Sequence, residues 1–211
     1  GGREGRRRGR GGGVHGREES GLGGLAARRP ERPLDAVADF GDGPESDLRR
    51  RTFETEEQLD LYCYQVAGTV GRMMAAILGT QSPEADRHAR ALGIAMQRTN
   101  ILRDRDEDIP IGRVYVPRAT LEATSTVDLV DGDRSELLRY EIAMADRWYS
   151  VGQAGIGLLA YGARQVRVAA LMYQEILRQI ERDGLGAARP RRAVVPRSHN
   201  ARILPRTLPS A

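Results

Sequence analysis

Apolar residues recur at helical spacing along the chain from residue 34 onward, and almost nowhere before it. A stretch from Leu34 to Leu48 starts as a helix but is interrupted by Gly41, Gly43 and Pro44. Thr55 then stands as an N-cap, with Glu56 and Glu57 in the first turn and Gln58 at the capping-box position. The pattern predicts a helix from Glu56 to Leu78, stopped by Gly79. Ser82, Pro83 and Glu84 open the next: a cap, proline at the first helical position, and an acid for the helix dipole. That helix runs to Asp108, and Pro110 ends it. Residues 109–133 read as a loop with one short helix near Ala119. A long helix is expected from Asp133 or Ser135 toward Ala160. A last one spans Ala163 to Arg182, with Gly184 just past its end. Strand signals are few. Helices of about 20 residues each predict an all-α bundle.

Composition changes this picture mainly at the two ends. Residues 1–33 contain nine Arg, four Glu and 11 of the 25 glycines, without one aromatic. Such a segment buries too little apolar surface to offset its ordering entropy, and a disordered Gly/Arg-rich tail is expected. Its run from Arg6 to Gly13 is similar to RNA-binding tracts, but those interleave aromatics for stacking and none occurs before Phe40. Residues 188–211 hold six Arg and no acid, and read as a basic C-terminal tail. The body between them, 34–187, has 18 basic and 25 acidic residues, so the net charge of +4 over 211 residues belongs to the tails. An acidic body argues against nucleic acid as a partner. Every basic side chain is Arg; there is no Lys. The lone Cys63 excludes an intramolecular disulfide framework and, with only three His, a Cys/His zinc site. No apolar run approaches the ~20 residues of a membrane span, and no secretory h-region precedes the body. A cytoplasmic setting is expected, with peripheral membrane association left open. Oligomeric state is not readable.

The segment from Leu92 to Pro117, LGIAMQRTNILRDRDEDIPIGRVYVP, carries the chemistry. On a helix, Gln97, Asn100, Glu107, Asp108 and Gly93 all fall within about 60° of Asp104. Ala91, Ala95, Thr99 and Leu102 occupy the opposite arc. Asp104 and Asp108 are one turn apart and repel. With Asp106 and Glu107 they put four acids in five residues at a helix C-terminus, where the dipole also disfavours anions. A divalent cation would compensate. Carboxylates and an Asn oxygen suit Mg2+ or Mn2+, which fill their shells with water and phosphate oxygens. Arg103 and Arg113 are near enough to hold the same phosphates. The competing reading is a solvated acidic helix end.

The preceding helix offers a stripe of Tyr62, Val66, Thr69 and Met73, with small residues Ala67, Gly68, Ala75 and Ala76 nearby. Close helix approach and room for a ligand both fit. In the last helix Val166, Ala169, Ala170, Tyr173, Ile176, Leu177 and Ile180 form an apolar face with Tyr173 as its polar tip; core packing is the alternative reading.

Three segments taken together closely resemble the squalene/phytoene synthase family: YCYQVAGTVG (Tyr62 to Gly71), AMQRTNILRDRDED (Ala95 to Asp108) and GRVYVP (Gly112 to Pro117). MYQEILRQIERDG (Met172 to Gly184) is similar to that family's last helix. The resemblance covers about Phe53 to Gly184, with the bacterial phytoene synthases nearest. It implies the all-α isoprenoid synthase bundle, with a cavity between two aspartate-rich motifs. It also implies Mg2+-dependent head-to-head condensation of two prenyl diphosphates through a cyclopropyl diphosphate; squalene or presqualene diphosphate synthesis is the alternative. The phytoene reaction closes by proton loss and needs no NADPH. Asn100, Asp104 and Asp108 would hold the metal. Gln97, Arg103 and Arg113 would contact substrate or diphosphate, with Asp104, Asp108 and Arg103 as the catalytic set. Tyr62, Val66, Val70 and Gly71 would line the prenyl cavity, and Tyr173 would reach the diphosphate side. The family's first aspartate-rich motif should precede Tyr62, where this sequence has the Gly/Arg tract. A truncated or frame-disrupted N-terminus, and a weakened or inactive enzyme, are therefore expected.

Overall fold

The computed structural model describes residues 35–40, 52–186 and 192–199. Among them the architecture is all-α. Helix α1 spans Glu56–Cys63 and passes without a turn through a π-helical segment, Tyr64–Gly68, into α2, Thr69–Leu78. Helix α3 is Ala85–Asp108, followed by a 3-10 turn, Ile109–Ile111. Helix α4 is the short Arg118–Ala123, α5 is Ser135–Ala154 with a 3-10 turn at Ile156–Leu158, and α6 is Ala163–Arg182. The expected tail at residues 1–33 and most of the interrupted Leu34 to Leu48 stretch lie outside the described residues; 35–40 is helical.

Helix α3 is the axis of the body. Its wider side packs on α5 and α6 around Leu92, Leu102, Leu138, Ile142, Tyr149 and Leu177. The other side packs on α1 and the π segment around Leu59, Tyr62, Cys63, Ile94 and Ile101. Trp148 touches both clusters, so the core is continuous around α3. Glycines allow the closest approaches. A Cβ on Gly71 would lie 2.3 Å from the Ala89 carbonyl oxygen, and one on Gly93 2.3 Å from that of Ala67. Gly68 of the π segment and Gly71 of α2, with Gly93 of α3 opposite them, therefore serve backbone-to-backbone packing.

The helix ends follow the punctuation with three departures. Thr55 occupies the N-cap position but makes no capping bond with its side chain. Its hydroxyl bonds the Glu57 carboxyl instead and draws that carboxyl below its ordinary value. Gln58 does reach back, but to the amide of Glu54 at 2.8 Å, one residue before the cap. The helix expected from Glu56 to Leu78 is interrupted by the five-residue π segment, which begins at the buried Tyr64. The Tyr64 hydroxyl donates to Asp39 and accepts from Arg72 Nη1 at 3.0 Å, while Arg90 stacks 4.3 Å from its ring centroid. Arg72 also pairs with Asp35 and Asp86, each at 2.7 Å, and so holds segment 35–40 against α2 and α3. Finally, α5 stops at Ala154, six residues short of Ala160. There the chain turns to pair with the end of α2: Gln81 N donates to Leu158 O (2.9 Å) and Ala160 N to Gly79 O (2.9 Å). Gly155 permits that turn, because a Cβ there would strike His88, 2.2 Å away.

Candidate active site

The face of α3 that carries Gln97, Asn100, Arg103, Asp104, Glu107 and Asp108 is half-buried to exposed, in contrast to the apolar arcs on either side. Ala91, Ala95, Thr99 and Leu102, the residues expected to pack, are buried. Asp104 is the centre of the charged group. Arg103 donates to it through Nε at 2.8 Å and Nη2 at 2.6 Å. From outside the helix, Arg192 Nε lies 3.1 Å from the same carboxylate, and Arg192 Nη1 is 3.8 Å from Glu107. Arg113 Nη1 is 3.8 Å from Asp108, and the Arg113 amide donates to the Asp108 carbonyl at 3.0 Å, closing the turn after α3.

Tyr173 projects from α6 to bond Arg103, while its ring packs on the α3–α5–α6 core. The ring of Tyr173 is thus part of the core, and its hydroxyl reaches Arg103. The Asp104 carboxylate first, and Tyr173 to a lesser degree, hold the Arg103 guanidinium more firmly charged than usual.

Asn100 fits a cation. Its Nδ2 donates weakly to Gln97 Oε1 at 3.4 Å, which leaves the amide oxygen for another partner. That oxygen, Oδ1, is buried and has no hydrogen-bond partner among the described residues. A buried acceptor is costly to leave unpaired, and an amide oxygen in that position can take a donor or a cation. Asp104 and Asp108 follow at one-turn intervals on the same face. Among the described residues no group of three or more His, Cys, Asp or Glu is placed to hold a metal. The donor set is instead two carboxylates and one amide oxygen, which agrees with the sparse protein ligation that Mg2+ accepts. These residues fit part of a coordination shell.

The residues expected to line an apolar cavity are spread out. Tyr62 is buried in an aromatic group, 5.5 Å from the ring centroids of both Phe53 and Tyr115. Val66 is half-buried beside it. Val70 lies on the outer side of α2 and is 40% exposed, next to Met74 and Ile77 on the same side. Gly71 is in the α2–α3 seam, where its Cα meets backbone.

Arg192 was not legible as a site residue. It falls within the segment read as a basic tail, yet it reaches Asp104, and His199 lies 3.6 Å from Glu175 of α6. Two signals were available: a run of Arg without acids after the last helix of an acidic body, and the resemblance of RRAVVPR, Arg191 to Arg197, to the same family.

The fold agrees with what the chain matches. The model of squalene/phytoene synthase fits residues 21–199. The chain belongs to the squalene/phytoene synthase family. It is 39% identical over 174 residues to the phytoene synthase of Arthrospira platensis, covering 72% of this chain and 56% of that one. It is 39% identical over 195 residues to the 15-cis-phytoene synthase of Synechocystis sp., covering 82% and 57%. Among solved structures, a dehydrosqualene synthase in complex with ligand superposes with a TM-score of 0.70 at 25% identity, over 82% of this chain and 63% of that one. A squalene synthase from Alicyclobacillus acidocaldarius gives 0.66 at 30% identity, over 72% and 61%. The all-α isoprenoid synthase fold is thereby established. The chain spans little more than half the length of the curated relatives it matches. The match begins at residue 21, inside the segment read from composition as a tail.

Proposed function

We propose that this chain carries the metal–diphosphate half of a head-to-head prenyltransferase that condenses two geranylgeranyl diphosphates to phytoene. The observation that supports it most is the buried, unpartnered Asn100 Oδ1 on the same face as Asp104 and Asp108, with Arg103 and Arg192 already on the central carboxylate. The sequence relatives named above are phytoene synthases, which favours phytoene over squalene. No reductant is then required, and NADPH has no part in the reading.

Asn100, Asp104 and Asp108 would hold Mg2+, or Mn2+ in its place. Bound there, the metal would neutralise charge on a departing diphosphate. The chain's own contribution is cationic. Arg103 is held by Asp104 and Tyr173 in one orientation, so its remaining N–H groups are pre-aimed at an anion. Arg192 and Arg113 stand at the edges of the same face and would fasten the diphosphate by charge-assisted hydrogen bonds. Gln97, beside Asn100, orients that amide. Val66 and the outer side of α2 at Val70 would form an apolar wall that keeps water from an allylic cation. Tyr62, Phe53 and Tyr115 would stiffen that wall from behind.

Incubation with geranylgeranyl diphosphate and Mg2+, followed by hydrocarbon analysis, tests this reading. A C40 product is expected. A second reading has its own support, since the match covers only 56% and 57% of the two relatives named above: the chain binds metal and diphosphate without turnover. Diphosphate binding that requires Mg2+, with no hydrocarbon formed, would favour it. Absence of both would end the assignment.

A further inference from the structure

Arg192 meets the charged face of α3 from another part of the chain. Its segment, 192–199, is fixed to the body away from the guanidinium. Ala193 packs on the core around α3, α5 and α6, and His199 lies 3.6 Å from Glu175 of α6. The Arg192 side chain itself stays 46% exposed. Its guanidinium can therefore change partners while the backbone behind it stays in place.

Asp104 is surrounded by more positive charge than it can neutralise. Its Oδ1 meets Arg103 Nε at 2.8 Å and Arg192 Nε at 3.1 Å, and its Oδ2 meets Arg103 Nη2 at 2.6 Å. Three of the carboxylate's roughly four lone-pair positions are thus taken, and two guanidinium charges face one carboxylate charge. A divalent cation on the same carboxylate would bring further positive charge close to both guanidiniums. They are not held equally. Arg103 has two short contacts and a second partner in Tyr173. Arg192 has one contact at 3.1 Å and another, to the exposed Glu107, at 3.8 Å. Repulsion then releases the weaker pairing first.

We infer that Arg192 is an exchangeable partner of Asp104: the guanidinium and a divalent cation compete for that carboxylate, and the displaced guanidinium turns to the diphosphate. The consequence is a coupling between the two ligands. Without diphosphate, metal binding has to break the Arg192–Asp104 pair. With diphosphate, the freed Arg192 has a new anion to hold. Each ligand therefore favours the other, by the same factor in both directions. This inference rests on the metal–diphosphate reading above and adds to it the residue through which the two ligands communicate.

Calorimetry of the full chain with Mn2+ and inorganic pyrophosphate tests it. In R192Q, Mn2+ without pyrophosphate should bind about two- to fivefold more tightly than in wild type, the scale of a partly exposed ion pair lost as a competitor. Pyrophosphate in the presence of Mn2+ should bind about tenfold more weakly, the scale of a lost charge-assisted contact. A Mn2+ affinity equal to or below that of wild type, or an unchanged pyrophosphate affinity, would overturn the inference. Loss of a nearby positive charge would tighten Mn2+ binding even without an exchange of partners, so NMR of the arginine Nε–H groups in wild type separates the two. The Arg192 signal, assigned by its loss in R192Q, should exchange faster with water when Mg2+ is added and slow again with pyrophosphate. An exchange rate that Mg2+ leaves unchanged would overturn the inference whatever calorimetry shows. Failure of the underlying reading has a different signature: neither wild type nor R192Q would bind Mn2+, and both conclusions would fall together.

Discussion

Helix α3 carries charge on two sides, and the two sides are built by opposite rules. At the back, one guanidinium is enclosed: Arg98 is 1% exposed and meets three carboxylates from α1 and α5. At the front, one carboxylate is attended: the Asp104 side chain is 25% exposed and meets guanidiniums from its own helix and from Arg192. The back cluster is made by elements that cannot part without unfolding. The front cluster is made by long, partly exposed side chains that can exchange one partner for another. Burial thus separates a charge that holds the bundle together from a charge that is available for chemistry.

Removing the centre of each cluster should therefore break different things. Arg98→Met leaves Glu56, Asp60 and Glu141 facing one another without a cation. It should cost about 3–5 kcal/mol of stability, read from urea or thermal unfolding. A loss under about 1 kcal/mol would mean that the acids simply take up protons and the cluster is not structural.

At the front, Asp104→Asn should leave the unfolding midpoint nearly unchanged. It should lower turnover by about 10²–10³, the scale for losing one charge-stabilising group at a reacting centre, and weaken Mn2+ binding measured by calorimetry. If stability fell and metal affinity did not, the two sides of α3 would not differ as described.

A pH dependence is confined to the back. Burial, with Glu56 alongside, pushes the Glu141 carboxyl up to about 8 against the opposing pull of Arg98. The unfolded chain releases this proton near the ordinary carboxylate value of about 4.3. Between about pH 4.3 and 8 the folded state holds a proton that the unfolded state has lost, so this group's contribution to stability declines as pH rises through that window. Glu56, Asp60 and Arg98 are the charged groups that face it. Glu141→Gln should flatten the stability-versus-pH curve above about pH 5. An unchanged slope would place the proton elsewhere in the cluster.

Local signals made much of this molecule legible before its fold was known. Ser82-Pro83-Glu84 and Pro110 bound α3, and Gly184 marks the end of α6, because caps and breakers act within a turn or two of themselves. The amide and carboxylate face of α3 followed from spacing alone, since a straight helix converts sequence separation into angle. Where the reading missed, partners distant in sequence had intervened. The π segment begins at Tyr64, whose partners Asp39, Arg72 and Arg90 come from elsewhere in the chain. Helix α5 ends early because the end of α2 offers its backbone. Arg192 looked like one more tail arginine because Asp104 lies 88 positions away in the sequence.

The sequence by itself determined the class of elements, most of their limits and the line of ligand-type residues along one helix. These depend on neighbours within four residues, and on motifs whose order is written in the chain. Tertiary structure alone decided which arginines are enclosed and which are offered. It also decided that Gly71 packs while Val70 is left uncovered, and that Asn100 keeps an unpaired oxygen. Each of those depends on what another segment desolvates, and desolvation is a property of the assembled body rather than of any stretch of the chain.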